Sequence, residues 1–176
     1  MRKLLSFYNK YADLPHTSKY HFESYYEHCM LVIAQALNAG ANRPVLLAAA
    51  LHDIAKPRTQ AINKVGGACF YDHEKVTEDE VAEFLPKNDA DFGQVVALIQ
   101  CHMLPYQVNS PGKWGEKARA ELVQAISRFG EVYEDFEKNL NMLHQCDEAG
   151  SIRSAEAMEG IEPKIAKAEQ WLSVNF

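Results

Sequence analysis

The sequence predicts an all-α protein of six to eight helices. Apolar residues recur at spacings of three and four along most of the chain, which is the period of an amphipathic helix. Glycine and proline interrupt these runs at short intervals, and no stretch alternates apolar and polar residues as a half-buried strand does. The chain has 176 residues, of which 47% are hydrophobic and 24% charged, enough to bury one core. We therefore predict one helical domain over residues 1–176.

The first two predicted helices have clear boundary signals. An apolar stripe runs through residues 22–38, and the helix is expected to end before Gly40. Asn42 is a suitable N-cap for the second helix, because its side chain can accept a hydrogen bond from a free backbone N–H. This helix contains the almost wholly apolar segment Pro44–Ile54 and is predicted to stop at Pro57.

The rest of the chain repeats this pattern of helices and short connections. Residues 57–73 are predicted to be a loop compatible with a short hairpin, and Thr77 is expected to open a helix through a capping box with Glu80. A further helix covers 91–103, and the longest loop covers 104–115. Three more helices are predicted at 115–128, 131–149 and 154–173.

The bulk composition argues against several classes of function. The formal net charge is -6, so we expect no extended nucleic-acid surface. No apolar stretch approaches the ~20 residues of a membrane span, and the start MRKLLSFYNKYADL lacks the features of a secretion signal. The four cysteines are scattered without CxxC spacing, which is typical of reduced thiols. We therefore predict a cytoplasmic protein with no membrane partner.

The dipeptide His52-Asp53 is the most informative feature of the chain. It interrupts an otherwise apolar segment, where an imidazole and a carboxylate are costly to bury unless a metal ion satisfies both. Four further candidate ligands lie on or beside predicted helices: His28, His73, His102 and Asp147. One inward-facing histidine is more often a core residue than a ligand, but several imidazoles and carboxylates in one core need a cation. Nitrogen and oxygen ligands favour iron, manganese, zinc, cobalt or nickel over calcium.

The pattern His28 … His52-Asp53 … Asp147 resembles that of the HD-domain metal-dependent phosphohydrolase superfamily. Three local strings are more similar still to the HD domain attached to some bacterial tRNA nucleotidyltransferases: LHDIAKPRT (51–59), FYDHEKV (70–76) and CHMLPYQV (101–108). The resemblance implies a helical-bundle core at about 22–153 and a C-terminal helix at 154–176. The catalytic head of the nucleotidyltransferases has no counterpart in this sequence, so we expect a stand-alone HD domain. Ala55 stands where the family usually has glycine, and a helix tolerates this replacement of glycine by alanine.

The resemblance also implies a set of metal ligands and a cofactor. Carried over residue by residue, the ligands are His28, His52, Asp53 and Asp147 for one ion, and Asp53, His73 and His102 for a second. The implied cofactor is a pair of divalent transition-metal ions (iron, manganese, nickel, cobalt or zinc), and magnesium is also compatible. Such a ligand number leaves positions open for water and phosphate oxygens, as a catalytic site requires.

Four cationic side chains are candidates for contact with a substrate. Lys56 occupies the Lys-Pro position of the family and is expected to stabilise charge on a phosphoryl group, although a helix-end lysine also favours the helix dipole. Arg58, Arg119 and Arg128 are weaker candidates, for which a solvated surface role is the alternative. His16 and His21 are expected to be unrelated to the metal.

Three functions remain open on the sequence alone. The leading hypothesis is hydrolysis of a phosphoester, in a nucleotide or at an RNA terminus, with a small phosphorylated substrate, expected to be a nucleotide, as partner; the sequence leaves the oligomeric state open. A mixed-valent di-iron oxygenase acting on a small substrate uses the same ligands on the same fold. A non-catalytic module that binds a nucleotide is the third reading. The Lys56-Pro57 context and the nucleotidyltransferase-like strings favour the phosphohydrolase.

Overall fold

The fold was analysed in a computed structural model that describes residues 3–14, 16, 21–64 and 66–176. Within these residues there are ten α-helices, seven of them with eight or more residues, and one two-stranded sheet. The all-α prediction is therefore confirmed. The helices are α1 (Lys3–Lys10), α2 (Tyr25–Asn38), α3 (Arg43–Leu51), α4 (Lys56–Thr59), α5 (Glu78–Ala82), α6 (Phe92–Cys101), α7 (Leu104–Gln107), α8 (Lys113–Gly130), α9 (Phe136–Gly150) and α10 (Glu162–Asn175).

Helices α2 and α3 form the centre of the fold. Helix α2 packs against α3, α9 and α10, while α3 also packs against α6 and α9. Tyr25 at the start of α2 is fully buried, and its hydroxyl donates a hydrogen bond to the carbonyl of Asp53, 3.1 Å away. This bond ties the start of α2 to the segment that follows α3. No described helix is long and apolar enough to cross a membrane.

The predicted capping residues are confirmed. The Asn42 side chain accepts a hydrogen bond from the backbone N–H of Val45, at 3.2 Å, and so caps α3. Thr77 and Glu80 form the predicted capping box at the start of α5. These signals are local because the side chain and the N–H groups it satisfies lie within one turn of each other.

The second predicted helix differs from the sequence expectation at its end. Helix α3 ends at Leu51, and His52 is its C-cap, so His52 and Asp53 lie at a helix end rather than inside a helix. Pro57 does not stop this helix. It lies in the first turn of the separate short helix α4, where a proline is tolerated because its missing N–H would have had no helical partner.

Several other boundaries also differ. The sequence analysis did not predict α1, and α7 lies within the segment expected to be the longest loop. Helix α9 begins at Phe136 rather than at 131, because Asp135 has a φ of 56°, in the left-handed region that ends regular helix geometry. The loop 57–73 holds the short hairpin of β1 (Ala61–Ile62) and β2 (Ala68–Cys69), and a 3₁₀-helix (Glu156–Met158) precedes α10.

Gly150 sets the distance between α9 and α2. A Cβ atom at this position would lie 2.5 Å from Val32 Cγ2 and 3.0 Å from the Val32 backbone nitrogen. We expect Gly150→Ala to lower the free energy of unfolding by about 1–3 kcal/mol, since the backbone of α2 has no space to yield. Thermal denaturation measures this effect. Gly130, the last residue of α8, has open space around it and is the matched control, so Gly130→Ala should leave the melting temperature unchanged or raise it.

Candidate metal centre

The six predicted ligands come from separate parts of the fold and converge on one buried region. His28 lies on α2, His52 and Asp53 follow α3, His73 lies in the turn after the hairpin, His102 is the C-cap of α6, and Asp147 lies on α9. Each of the six residues is at most 7% exposed. They form two neighbouring triads, in each of which the potential ligand atoms lie within 4.8 Å of one another. The triads are His28, His52 and Asp147, and Asp53, His73 and His102.

The first triad places two imidazole nitrogens around one carboxylate oxygen. His28 Nε2 lies 3.1 Å from Asp147 Oδ1, and His52 Nε2 lies 3.7 Å from the same oxygen. The two imidazole Nε2 atoms are 3.4 Å apart. Three potential donor atoms therefore face a common point between α2, α3 and α9.

Asp53 belongs to the second triad, and it turns its other carboxylate oxygen toward the first. Its Oδ2 atom lies 3.5 Å from His28 Nε2 and 3.2 Å from His52 Nε2. Its Oδ1 atom lies 3.3 Å from His73 Nε2 and 4.0 Å from His102 Nε2, and these two imidazole nitrogens are 3.1 Å apart. A carboxylate placed in this way has the geometry to bridge two ions.

The Asp53 carboxylate is buried without the hydrogen bonds that such a group requires. Lys56 Nζ lies 2.6 Å from Oδ2 as an ion pair, yet neither oxygen accepts a directed hydrogen bond from any residue that the structure describes. A buried carboxylate in that condition is costly unless a cation satisfies its free lone pairs. The residues present therefore fit a metal ion.

Backbone carbonyl groups orient three of the histidines. The Nδ1 atoms of His52, His73 and His102 lie 3.0, 2.7 and 2.7 Å from the carbonyl oxygens of the residues three positions earlier. A hydrogen bond from Nδ1–H fixes the tautomer, which leaves Nε2 with a free lone pair directed into the site. This is the usual arrangement of a histidine that binds metal.

The model of one protein family, described as HD domain, matches residues 25–157, about three quarters of the chain. The chain belongs to the HD domain family. No curated protein matches the chain. HD domains bind divalent metal ions, and most of them are metal-dependent phosphohydrolases. The buried histidine and aspartate triads of this HD domain are compatible with that property.

Neighbouring charged side chains offset the cost of burying the Asp53 carboxylate and the His28 imidazole in this HD domain. Burial alone would raise the pKa of the Asp53 carboxyl, but the nearby His52 and Lys56 hold it well below its usual range. Burial opposes the charge on His28 as well, yet its interactions with Asp147 and Glu23 raise its pKa to about 9. A divalent cation would supply the positive charge that His28 and Lys56 provide here.

Histidines of the second triad are held neutral. Burial, reinforced by the neighbouring His73 and His52, lowers the pKa of His102 to about 4. Burial also lowers the pKa of His73. Neutral imidazoles are the form that binds a metal ion, so the second triad is ready to act as a ligand set at neutral pH.

Lys56 lies at the HD centre, but it is more enclosed than the sequence suggested. It is 7% exposed, and its ammonium group lies 2.8 Å from His16 Nε2 and 5.6 Å from the centre of the Phe70 ring. His16 was expected to be unrelated to the metal. Its ring instead packs 5.0 Å from that of His28, and its Nδ1 atom has no hydrogen-bond partner among the described residues.

The three candidate arginines have other partners in this HD domain. Arg58 forms an ion pair with Glu80, and Arg119 donates a hydrogen bond of 2.7 Å to the carbonyl of Val108. Arg128 packs over the ring of Phe129. None of these described contacts joins an arginine to the metal ligands, so the substrate-binding role of Arg58, Arg119 and Arg128 stays a prediction.

Tyr106 is a site residue that the sequence analysis missed. It lies on α7, half buried, and its ring packs edge-on against His144 at 4.3 Å between ring centres. Burial raises the pKa of its hydroxyl, and an interaction with the Asp147 carboxylate raises it further. Tyr106 therefore brings a neutral phenol to the outer side of the first triad. Tyr106 lies in the string CHMLPYQV that carries part of the family resemblance, but no role was predicted for it there.

Proposed function

We propose that this HD domain is a phosphohydrolase that uses two divalent metal ions to hydrolyse a phosphoester in a nucleotide or at an RNA terminus. The observation that carries the proposal is the position of Asp53 between two triads, with one oxygen toward each. Two ions that share a carboxylate are the usual arrangement for displacement at phosphorus.

The two triads would divide the ligands between them. His28, His52 and Asp147, with Asp53, would hold one ion, and His73 and His102, with Asp53, would hold the other. When bound, the ions would supply Lewis acidity and lower the pKa of water to provide a nucleophile near neutral pH. Four and three protein ligands leave positions open at each ion, which a catalytic site needs and a structural site does not.

The residues of the chain itself would bind and orient the substrate. The Lys56 ammonium group lies 2.6 Å from the shared Asp53 carboxylate, and a cation there would stabilise the negative charge that develops on the phosphoryl oxygens. The strings LHDIAKPRT and FYDHEKV contribute Lys56 and His73, and they resemble the HD domain attached to tRNA nucleotidyltransferases. This resemblance supports a small nucleotide or RNA-terminal phosphate as the substrate class.

Elemental analysis of the purified protein, followed by a panel of phosphoesters, tests the proposal. We expect up to two equivalents of iron, manganese, nickel, cobalt or zinc for each chain. We also expect a melting temperature that rises with metal concentration, because an ion that binds only the folded state stabilises it. The panel contains 2′,3′-cyclic nucleotides, nucleoside monophosphates and bis(p-nitrophenyl) phosphate.

Two results would contradict the phosphohydrolase proposal. A metal-loaded protein that hydrolyses no member of the panel but contains iron and consumes oxygen with a small substrate would be an oxygenase instead. A metal-loaded protein that binds a nucleotide without turnover would be a binding module.

Removal of the metal by a chelator should abolish hydrolysis and leave a folded protein with a lower melting temperature.

A further inference from the structure

His28 differs from the other three ligand histidines in how its ring is oriented. His52 and His102 are C-caps, and the last carbonyl groups of a helix are free to accept a bond from a side chain. His28 lies inside α2, where the preceding carbonyl groups are used by the helix itself. Its ring therefore needs a partner from outside the helix.

Glu23 is the group that lies in that position. Its Oε1 atom lies 3.3 Å from His28 Nδ1 as an ion pair, on the opposite side of the ring from the nitrogen that faces Asp147. This buried nitrogen has no directed hydrogen bond from the described residues, so Glu23 is the acceptor placed beside it. Glu23 is fully buried, although a glutamate is rarely enclosed unless its charge is paired. The contact with His28 supplies part of that pairing.

The start of α2 explains why these two residues meet. Ser24 is the N-cap of α2 and forms a capping box with Glu27. Glu23 is thus the residue before the N-cap, and His28 is the fourth residue of the helix. Residues at these two positions face each other in a capping box, where they commonly form an apolar contact. In this chain a carboxylate and an imidazole take the place of that apolar pair.

Glu23 is itself fixed from two further sides. Its Oε2 atom accepts a hydrogen bond of 2.9 Å from the backbone N–H of Ile152, just after α9. Its Oε1 atom also lies 2.6 Å from His21 Nδ1. Burial opposes the charge on Glu23, but these contacts with His21 and His28 lower its pKa to about 2.

We infer that Glu23 is a positioning residue that holds the His28 ring for metal binding and thereby sets the affinity of the first triad. This inference rests on the proposed function only in requiring that the centre binds a divalent ion. A carboxylate that pairs with the far nitrogen of a ligand histidine favours the tautomer with the proton on that nitrogen and makes the ligand more basic. Because Glu23 also binds Ile152, it connects His28 on α2 with the end of the helix that carries Asp147.

A separate cation site at Glu23 is the competing interpretation. His16, His21 and Glu23 have potential ligand atoms within 4.8 Å of one another. The Glu23 carboxylate, however, already contacts two imidazole nitrogens and one backbone N–H, and the Lys56 ammonium group lies 2.8 Å from His16. A cation at this place would find the Glu23 carboxylate already paired and would be repelled by the Lys56 ammonium group. The contacts therefore favour the positioning role.

Calorimetric titration of the metal-free full chain with Mn²⁺ tests the inference. We expect Glu23→Ala to weaken Mn²⁺ binding by about 10- to 100-fold, the usual effect of removing such a partner. Glu23→Gln keeps the size of the side chain and one acceptor oxygen, so it should fold and lose less affinity. Ser24→Ala is the matched control, because it weakens the same end of α2 without touching His28. It should lower the melting temperature and keep the Mn²⁺ affinity.

The outcomes separate the positioning role from its alternatives. Mn²⁺ affinity in Glu23→Ala and Glu23→Gln equal to that of the unmodified chain would overturn the inference. Loss of affinity in Ser24→Ala equal to that in Glu23→Gln would also overturn it, because stability of the helix end would then be the cause. An unmodified chain that binds no divalent ion would overturn both this inference and the proposed function. A chain that binds Mn²⁺ but hydrolyses no phosphoester would overturn only the proposed reaction.

Discussion

Asp53→Ala is expected to abolish metal binding at both triads and to remove all phosphoester hydrolysis. Among the six proposed ligands, Asp53 is the residue with one oxygen beside each set of histidines, Oδ2 at 3.2 Å from His52 and Oδ1 at 3.3 Å from His73. Without it, each proposed ion loses a ligand. The negative charge that offsets the repulsion between the two cations is lost as well. The imidazoles that remain cannot supply that charge, because they bind metal in the neutral form. Metal content and turnover on the phosphoester panel measure the effect together.

Two further variants make the Asp53 prediction specific. Asp53→Asn keeps the size of the side chain and removes its charge, so it should also lose metal, although it retains one acceptor oxygen. Asp72→Asn is the control, because asparagine tolerates the left-handed φ of 62° at this position and the surface carboxylate of Asp72 pairs only with the exposed Lys75 among its described contacts. It should keep both metal and turnover. Full metal occupancy in Asp53→Ala would show that Asp53 does not bridge two ions.

The parts of the fold that the sequence predicted correctly depend on local chemistry. Asn42 and Thr77 act on N–H groups within one helical turn, so their role can be read from a few consecutive residues. The end of α3 depends on distant packing instead. Tyr25 holds the carbonyl of Asp53, which is 28 positions away, and this contact places the turn before Pro57. No pattern within one segment contains that information.

The candidate site shows the same division. The six ligands could be predicted because imidazoles and carboxylates in apolar surroundings are unusual, and because their motifs resemble those of a family. Glu23 and His16 belong to no such motif, and His16 meets Lys56, 40 positions away, only in the folded chain. A local signal for Glu23 did exist. The capping box of Ser24 and Glu27 predicts that the residues on either side of it, Glu23 and His28, face each other.

Lys56→Ala is expected to lower turnover by about 10²- to 10³-fold, the effect of removing one preorganised stabilising group, while both metal ions stay bound. The ammonium group of Lys56 lies 2.6 Å from Asp53 Oδ2, so it is close to the proposed reacting centre without being a ligand. Lys56→Met keeps most of the buried apolar stem and removes only the charge, which separates electrostatic stabilisation from packing.

The control for Lys56 is an exposed lysine that has no described contact with the proposed ligands. Lys75 is exposed and pairs with Asp72, so Lys75→Ala should leave turnover and metal content unchanged. If Lys56→Met lost its metal, the ammonium group would be a structural support of the Asp53 carboxylate rather than a catalytic residue. If it kept full turnover, the contact with His16 would be the main role of Lys56. A structural role lowers metal content and turnover together, whereas a catalytic role lowers turnover alone. Metal content and turnover must therefore be measured on the same preparation.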